Sequence, residues 1–212
     1  MNLERYCRVS VLLVLVSALG CGPLFAPASG EKKALYVISD DGSLPEQSAE
    51  STDFRLLIRA MQANNFINSH KIIFSRESAT RGYYQLAQWV EPPTKRLTLL
   101  LLERFERSGS FASVSGIASS ALGDLQLNTE LTEFYHDVSE SPGTVHLRLR
   151  AEVVDLAERR VVGERVFSKS LPAADYSAEG AVASFTAGSN ALLNDVVTWV
   201  TELASQRAAS AA

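Results

Sequence analysis

Leu125-Gln126-Leu127-Asn128-Thr129-Glu130-Leu131 and, further along, Val145-His146-Leu147-Arg148-Leu149-Arg150-Ala151-Glu152-Val153 alternate apolar and polar residues without a break. Successive strand side chains point to opposite faces, so each run makes one oily face and one wet face. That is the pattern of half-buried antiparallel strands. Ser141-Pro142-Gly143 supplies a turn between the two runs, and Asp155 to Arg160 supplies a second turn into a further run from Val161 to Leu171.

Working outward from these runs, Ala34–Ile38, Phe54–Ala60, Lys71–Ser75, Gly82–Leu86 and Phe111–Val114 read as shorter strands, rich in β-favouring residues. The segment from Ser39 to Asp53, with Gly42 and Pro45, reads as a loop, as does the Gly/Ser/Ala stretch from Ser115 to Gly123. Two helices are expected. Pro92 and Pro93 suit a first turn, where a missing N–H is harmless. Leu97, Leu100, Leu101 and Phe105 then recur at helical spacing, and Ser108-Gly109 closes the run. A long amphipathic helix follows from about Ala178 to Gln206, its stripe made by Val182, Phe185, Leu192, Val196, Trp199 or Val200, and Leu203. The expected class is α+β: a mostly antiparallel sheet with two main helices packed against it.

With 212 residues, 46% hydrophobic and 21% charged, the chain is too apolar for disorder and too charged for a polytopic membrane protein. The formal net charge is -4 with no Lys/Arg run, which sets nucleic acid aside as a partner.

The N-terminus carries the strongest single signal. Arg5 and Arg8 precede the apolar stretch Val11–Val16, then come Ser17-Ala18-Leu19-Gly20 and Cys21. This is the order of a secretory signal peptide, with an apolar stretch too short to span a bilayer. The Ser-Ala-Leu-Gly-Cys ending resembles a lipobox, although Leu19 stands where a small residue is commoner and Ala18 where Leu is commoner. Acylation of Cys21 is expected, and with several acyl chains the attachment would be firm. Gly22 follows, where lipoproteins kept at the inner membrane often carry Asp, so that resemblance points to the outer membrane. The expected organisation is a lipoprotein signal peptide over 1–20, a lipidated tether over 21–33, a single periplasmic α+β domain over 34–206 and a flexible tail over 207–212. Cleavage before Cys21 removes Cys7, leaving the domain no cysteine for disulfide, metal or redox chemistry.

Little else suggests chemistry. His70, His136 and His146 lie outside helical ligand spacing of one another, and His146 shares a polar strand face with Arg148 and Arg150. Ser113-Val114-Ser115-Gly116 lacks the first glycine of a nucleophile elbow. Asp40-Asp41-Gly42 reads as a turn, since the rest of a calcium loop is missing. Strict alternation places Glu130 on the opposite face from Glu133 and Asp137, so no acid/base pair is expected. No metal, no cofactor and no enzymatic activity are expected. Tyr83, Tyr84 and Trp89 are aromatics of a kind that usually fills cores; where exposed, they are the candidate partner contacts.

Three stretches together resemble a known family. They are Asn65 through Arg76, Gly82 through Pro93, and Ser108 through Val114. This order is similar to that of the ABC-type transport auxiliary lipoproteins, in which a hydrophobic strand ending in Arg precedes a Tyr-containing strand, a Trp, prolines and a Leu-rich helix. The resemblance implies an outer-membrane, periplasm-facing accessory of a lipid transport system, working beside an MCE-domain protein and its ABC permease and ATPase. It leaves room for a homo-oligomer and for direct contact with lipid. The competing expectation is a structural or assembly lipoprotein of the envelope unrelated to transport.

Overall fold

A computed structural model describes residues 32–45, 51–116 and 123–211 of the chain; the expected signal peptide, Cys21 and the tether up to residue 31 lie outside the described residues. The elements run β1 (Ala34–Tyr36), β2 (Thr52–Ile58), β3 (Lys71–Ser75), β4 (Gly82–Trp89), α1 (Pro93–Ser108), β5 (Phe111–Gly116), β6 (Leu125–Asp137), β7 (Thr144–Asp155), β8 (Arg160–Pro172) and α2 (Ala178–Ala211). None of the helices among the described residues is long and apolar enough to cross a membrane.

Strand β6 organises the sheet. One edge pairs antiparallel with β7 from Leu125↔Asp155 to Asp137↔Thr144. Its other edge is shared in series. β2 lies parallel at Leu125–Leu127, Gln62 bridges Glu130, and β3 lies parallel at His136 and Asp137. β8 extends the β6–β7 pair as a meander, β4 folds back on β3, and β1 and β5 add parallel to β4 and β2.

The sheet is therefore mixed, which corrects the expectation of a mostly antiparallel one. The hairpins β3–β4, β6–β7 and β7–β8 are antiparallel because short connections reverse the chain. The parallel pairs join strands separated by long stretches or by α1, and local alternation carries no information about such partners.

A second correction concerns the faces of β6. Leu131 opposes Leu149 and Glu133 opposes Arg148, so Thr132 is an extra residue, a β-bulge. Buried positions are Leu125, Leu127, Thr129 and Leu131 before the bulge, and Phe134 and His136 after it. The change of phase brings Glu130, Glu133 and Asp137 to one outer face, not to opposite faces as strict alternation requires. Glu130 and Glu133 stand across from Arg150 and Arg148, a favourable cross-strand arrangement of opposite charges.

Local sequence sets the start of both helices and the end of α1. Pro93 occupies the first turn of α1, and Gly109 closes it in the left-handed conformation, its N–H donating to Glu106 O. The inward stripe Leu97, Leu100, Leu101 and Phe105 is sealed from solvent, each side chain contributing roughly 1.5–3 kcal/mol by burial. Ser177 Oγ accepts the Gly180 N–H at 2.9 Å and caps α2. α2 lies across β7 and β8, with Phe185, Leu192, Leu193, Val196, Val197 and Val200 buried. At the centre, Phe185 stacks on Phe134 with centroids 4.5 Å apart and receives Trp89 edge-on at 5.5 Å.

The end of α2 is a third correction. Helix continues through Ala211 where a free tail was expected after Gln206, because Arg207 Nη2 reaches Asp155 Oδ2 at 2.5 Å. Asp155 also accepts the Ala157 and Glu158 N–H groups of the β7–β8 turn, and these bonds, with Arg207 beside it, hold its carboxyl below the usual range.

The segment after β1 is strapped down by cations of α1. Arg104, fully sealed from solvent, pairs with Asp40 at 2.5 Å and Asp41 at 3.4 Å, and bonds the side chains of Asn190 and Asn194 on α2. Arg107 takes the other Asp40 oxygen at 2.7 Å, and Arg96 Nε donates to Ile38 O at 2.8 Å. The Asp-Asp-Gly turn thus spends its charge on arginine. Asp41 is held below the usual carboxylate range, first by its bond from Ser43 and further by Arg104.

Candidate binding cleft

At one end of the sheet, Phe74, Arg76, Tyr83, Tyr84, Gln85, Val138 and Tyr176 line an open cleft of about 600 Å³. That volume suits a small molecule, a lipid fragment or a few side chains of a partner. β3 and the start of β4 supply most of the wall, the residue after β6 supplies Val138, and the approach to α2 supplies Tyr176.

The turn between β3 and β4 sets the aromatic wall. Ser75 Oγ donates within the turn, toward Glu77 O at 2.8 Å and Thr80 O at 2.9 Å. The Phe74 ring then lies over Gly82, where a Cβ would stand 2.9 Å from the ring. Only glycine allows this approach without displacing Phe74. Phe74 in turn tilts against Tyr84 with centroids 5.0 Å apart, and the Arg76 guanidinium sits 5.2 Å from the Phe74 centroid. Among the described residues Arg76 makes no ion pair, so its charge is available to a ligand. Its neighbour Arg81 is engaged, lying 3.9 Å from the Tyr135 centroid and donating to Thr80 O.

Behind the wall runs a short hydrogen-bond chain. Tyr84 Oη lies 2.8 Å from Tyr176 O and 2.9 Å from His136 Nδ1. A carbonyl can only accept, so the single Tyr84 proton goes to Tyr176 and His136 donates from Nδ1 to Tyr84. His136 is thereby assigned as the neutral Nδ1–H tautomer. Burial holds its pKa below the ordinary value, outweighing the Pro142 carbonyl, Asp137 and Asp175, which favour the charged form. Its Nε2 makes no good hydrogen bond among the described residues. Gly143, at φ 97°, presses against that nitrogen; a side chain there would overlap the ring and crowd the Asp137 carbonyl. Burial, with Asp175 nearby, pushes the Tyr84 hydroxyl up to about 12, so it stays protonated and serves as a fixed donor.

The three aromatics singled out in the sequence part company here. Tyr83 and Tyr84 line the cleft, Tyr83 stacked on Phe66 at 4.5 Å with Lys71 Nζ 4.2 Å from its centroid. Trp89 is 2% exposed and belongs to the core, so it is no partner contact. Tyr83 and Tyr84 pack against the margin of the core and stay partly exposed, whereas Trp89 follows Ala87 into it. The sequence reading missed Phe74, Tyr176 and the role of His136. Arg76 was visible as the basic end of a hydrophobic strand, but Tyr176, a lone aromatic among small and polar residues, gave no signal.

The other histidines are peripheral. His70 Nδ1 meets Trp89 O at 3.1 Å, and His146 Nδ1 meets Ser170 Oγ at 3.0 Å. Among the described residues no three His, Cys, Asp or Glu side chains converge as metal ligands. A second hollow of about 320 Å³ on the outer face of β6 and β7 is lined by Gln62, Asn128, Thr129, Glu130, Arg150 and Glu152. Its charges are largely satisfied internally, Asn128 donating to Glu152 and Arg150 to Glu164, each at 2.9 Å.

No curated protein matches this sequence. The fold is similar to that of a crystallised Xanthomonas campestris protein, with a TM-score of 0.76 at 22% identity over 82% of this chain and 98% of the other. A further uncharacterised protein aligns with a TM-score of 0.63 at 12% identity, over 80% and 99% of the two chains. A hypothetical protein of Chlamydia trachomatis aligns with a TM-score of 0.51 at 10% identity, over 72% and 98%. These likenesses establish the fold alone. The sequence itself matches the family described as the ABC-type transport auxiliary lipoprotein component over residues 36–197, and the chain belongs to that family.

Proposed function

We propose that this lipoprotein is anchored through Cys21 in the outer membrane, faces the periplasm, and acts as a non-enzymatic accessory of an ABC-type lipid transport system. In this reading it docks an MCE-domain protein, while a permease and an ATPase elsewhere supply the energy. Family membership supports the transport setting, and the observation that carries the binding role is the cleft. It combines aromatic walls with Arg76, a cation that makes no ion pair among the described residues, features that suit recognition of an anionic or amphipathic group. The same geometry speaks against proton-transfer chemistry there, since Tyr84 is held protonated and His136 sits sealed behind it.

Tethering gives even weak docking leverage, because confinement near one membrane raises effective concentration. Crosslinking of the lipidated protein in cell envelopes, followed by identification of what it captures, tests the reading. Recovery of an MCE-domain protein or its permease, weakened at least several-fold by Arg76→Glu, is the expected result. Capture of cell-wall components or outer-membrane assembly factors alone would replace it with the structural-lipoprotein reading. Cys21→Ala is expected to leave the domain folded but release it from membranes; a variant that still sediments with outer membranes removes the anchor from the mechanism.

A further inference from the structure

Large apolar side chains stand exposed at eight described positions, and four of them lie together on β1, β4 and the residues that follow: Leu35 at 60%, Leu86 at 49%, Val37 at 46% and Val90 at 50%. The register explains the grouping. Ala34 pairs with Ala87 and Tyr36 with Trp89, and both β4 partners point into the core. The intervening residues must then point outward, so Leu35 stands beside Gln88 and Leu86 falls one step before it. The Val90 N–H donates to Tyr36 O at 2.9 Å, which carries the row on to Val37 and Val90. Scattered exposed hydrophobics are ordinary, but four on one edge of a sheet form a patch.

The charges around the patch are basic. Lys33 leads directly into β1 and is exposed, and Lys71 on β3 stands across from Gln88. Among the described residues, the acid at its border is Glu91, which Lys95 occupies at 3.4 Å. The chain immediately before the patch leads to the anchor. Leu35 lies fourteen residues beyond Cys21, and even fully extended that stretch reaches at most about 50 Å.

We propose that the outer face of β1 and β4 rests on the anionic lipid surface into which the chain is anchored, with Leu35, Val37, Leu86 and Val90 against the interface and Lys33 and Lys71 toward headgroup phosphates. An apolar face rimmed by lysines is the composition that interfacial elements use. Lysines beside a short tether make lipid, rather than a second copy of this net-acidic chain, the occupant of matching charge. The inference rests on anchoring through Cys21.

The test uses the full lipidated chain in vesicles of phosphatidylglycerol and phosphatidylcholine. Acylation occupies Cys21 and processing removes Cys7, so a cysteine introduced by Leu86→Cys, Val37→Cys or Val166→Cys is the sole free thiol for a fluorescent label. Val166 is the control, being 46% exposed on β8, at the far side of the sheet from β1. Labels at 37 and 86 should be quenched by nitroxide lipid at least twofold more than the label at 166, and be correspondingly shielded from aqueous iodide. Equal iodide access at all three positions overturns the proposal, as does shielding at 37 and 86 without lipid quenching, which would mean protein covers the face. Failure of the protein to float with vesicles at all would instead strike the anchor reading.

Discussion

The two helices are fastened to the rest of the molecule by opposite means. The centre of the contact between α2 and the sheet is dry, Phe185 meeting Phe134 of β6 and Trp89 of β4 at centroid distances of 4.5 to 6.0 Å, with the ion pairs Lys169–Asp195 and Arg207–Asp155 flanking it. Where α1 meets the segment after β1 the contact is ionic, built on a sealed guanidinium and the carboxylates of Asp40 and Asp41. Dry packing tolerates many sequences of the right volume and loses stability when a position is emptied or overfilled. A buried charge is useful only while every partner is in place, and becomes a liability when one is lost. The first contact should therefore govern global stability, and the second should fix one segment in one position.

Phe185→Ala should show the largest effect, a loss of about 3–5 kcal/mol in denaturant unfolding, since it empties the centre of the aromatic cluster. A loss below 1 kcal/mol would mean the dry interface is not the foundation it looks to be. Arg104→Ala should lose somewhat less, about 3 kcal/mol, with hydrogen exchange quickening first around residues 38–43. Uniform quickening across the whole fold would erase the distinction between the two contacts. Gly143→Ala, placed at positive φ against the His136 ring, should lose about 2 kcal/mol and disturb the near-ultraviolet signal of Tyr84.

A smaller effect should appear on acidification. Burial holds His136 below the 6.5 of an exposed histidine, so between those two values the unfolded chain binds a proton that the folded chain refuses. The contribution is complete above about pH 6.5 and declines as pH falls through this window. The lowered carboxyls of Asp41, Asp137 and Asp155 act only below their ordinary value of 3.8. His136→Gln should flatten the unfolding midpoint between those ranges; an unchanged slope would assign the dependence to another group. The smallest effect is expected of Arg207→Ala, about 0.5–1 kcal/mol, with fraying of α2 beyond Gln206 visible by hydrogen exchange.

How much of this could be read in advance differs between the two contacts. The apolar stripes of α1 and α2 and the β6–β7–β8 meander follow from spacing, because a helix or strand declares its buried face through its own period. Arg104 is invisible to that reading. It occupies an ordinary stripe position of α1, and its partners Asp40, Asn190 and Asn194 lie far away in sequence. The parallel pairing of β2 with β5 and β6 was hidden for the same reason. Half of the cleft was legible in the Tyr83-Tyr84 pair and in the basic end of β3. Tyr176 and His136 were not, since only the fold brings them within hydrogen-bond reach of Tyr84.

One residue, Thr132, keeps the two halves of β6 in step. Upstream of it the inward positions serve β2 and the bottom of the core; downstream they serve β3, Phe134 and the His136–Tyr84 relay. Paired into the ladder instead of bulged out of it, Thr132 would turn every downstream side chain to the opposite face while leaving the upstream ones as they are. Phe134 and His136 would then face water, and Glu133, Tyr135 and Asp137 would face α2. Thr132 thus works as a phase-setting insert, a one-residue vernier by which the binding end of the sheet is indexed to the packed end.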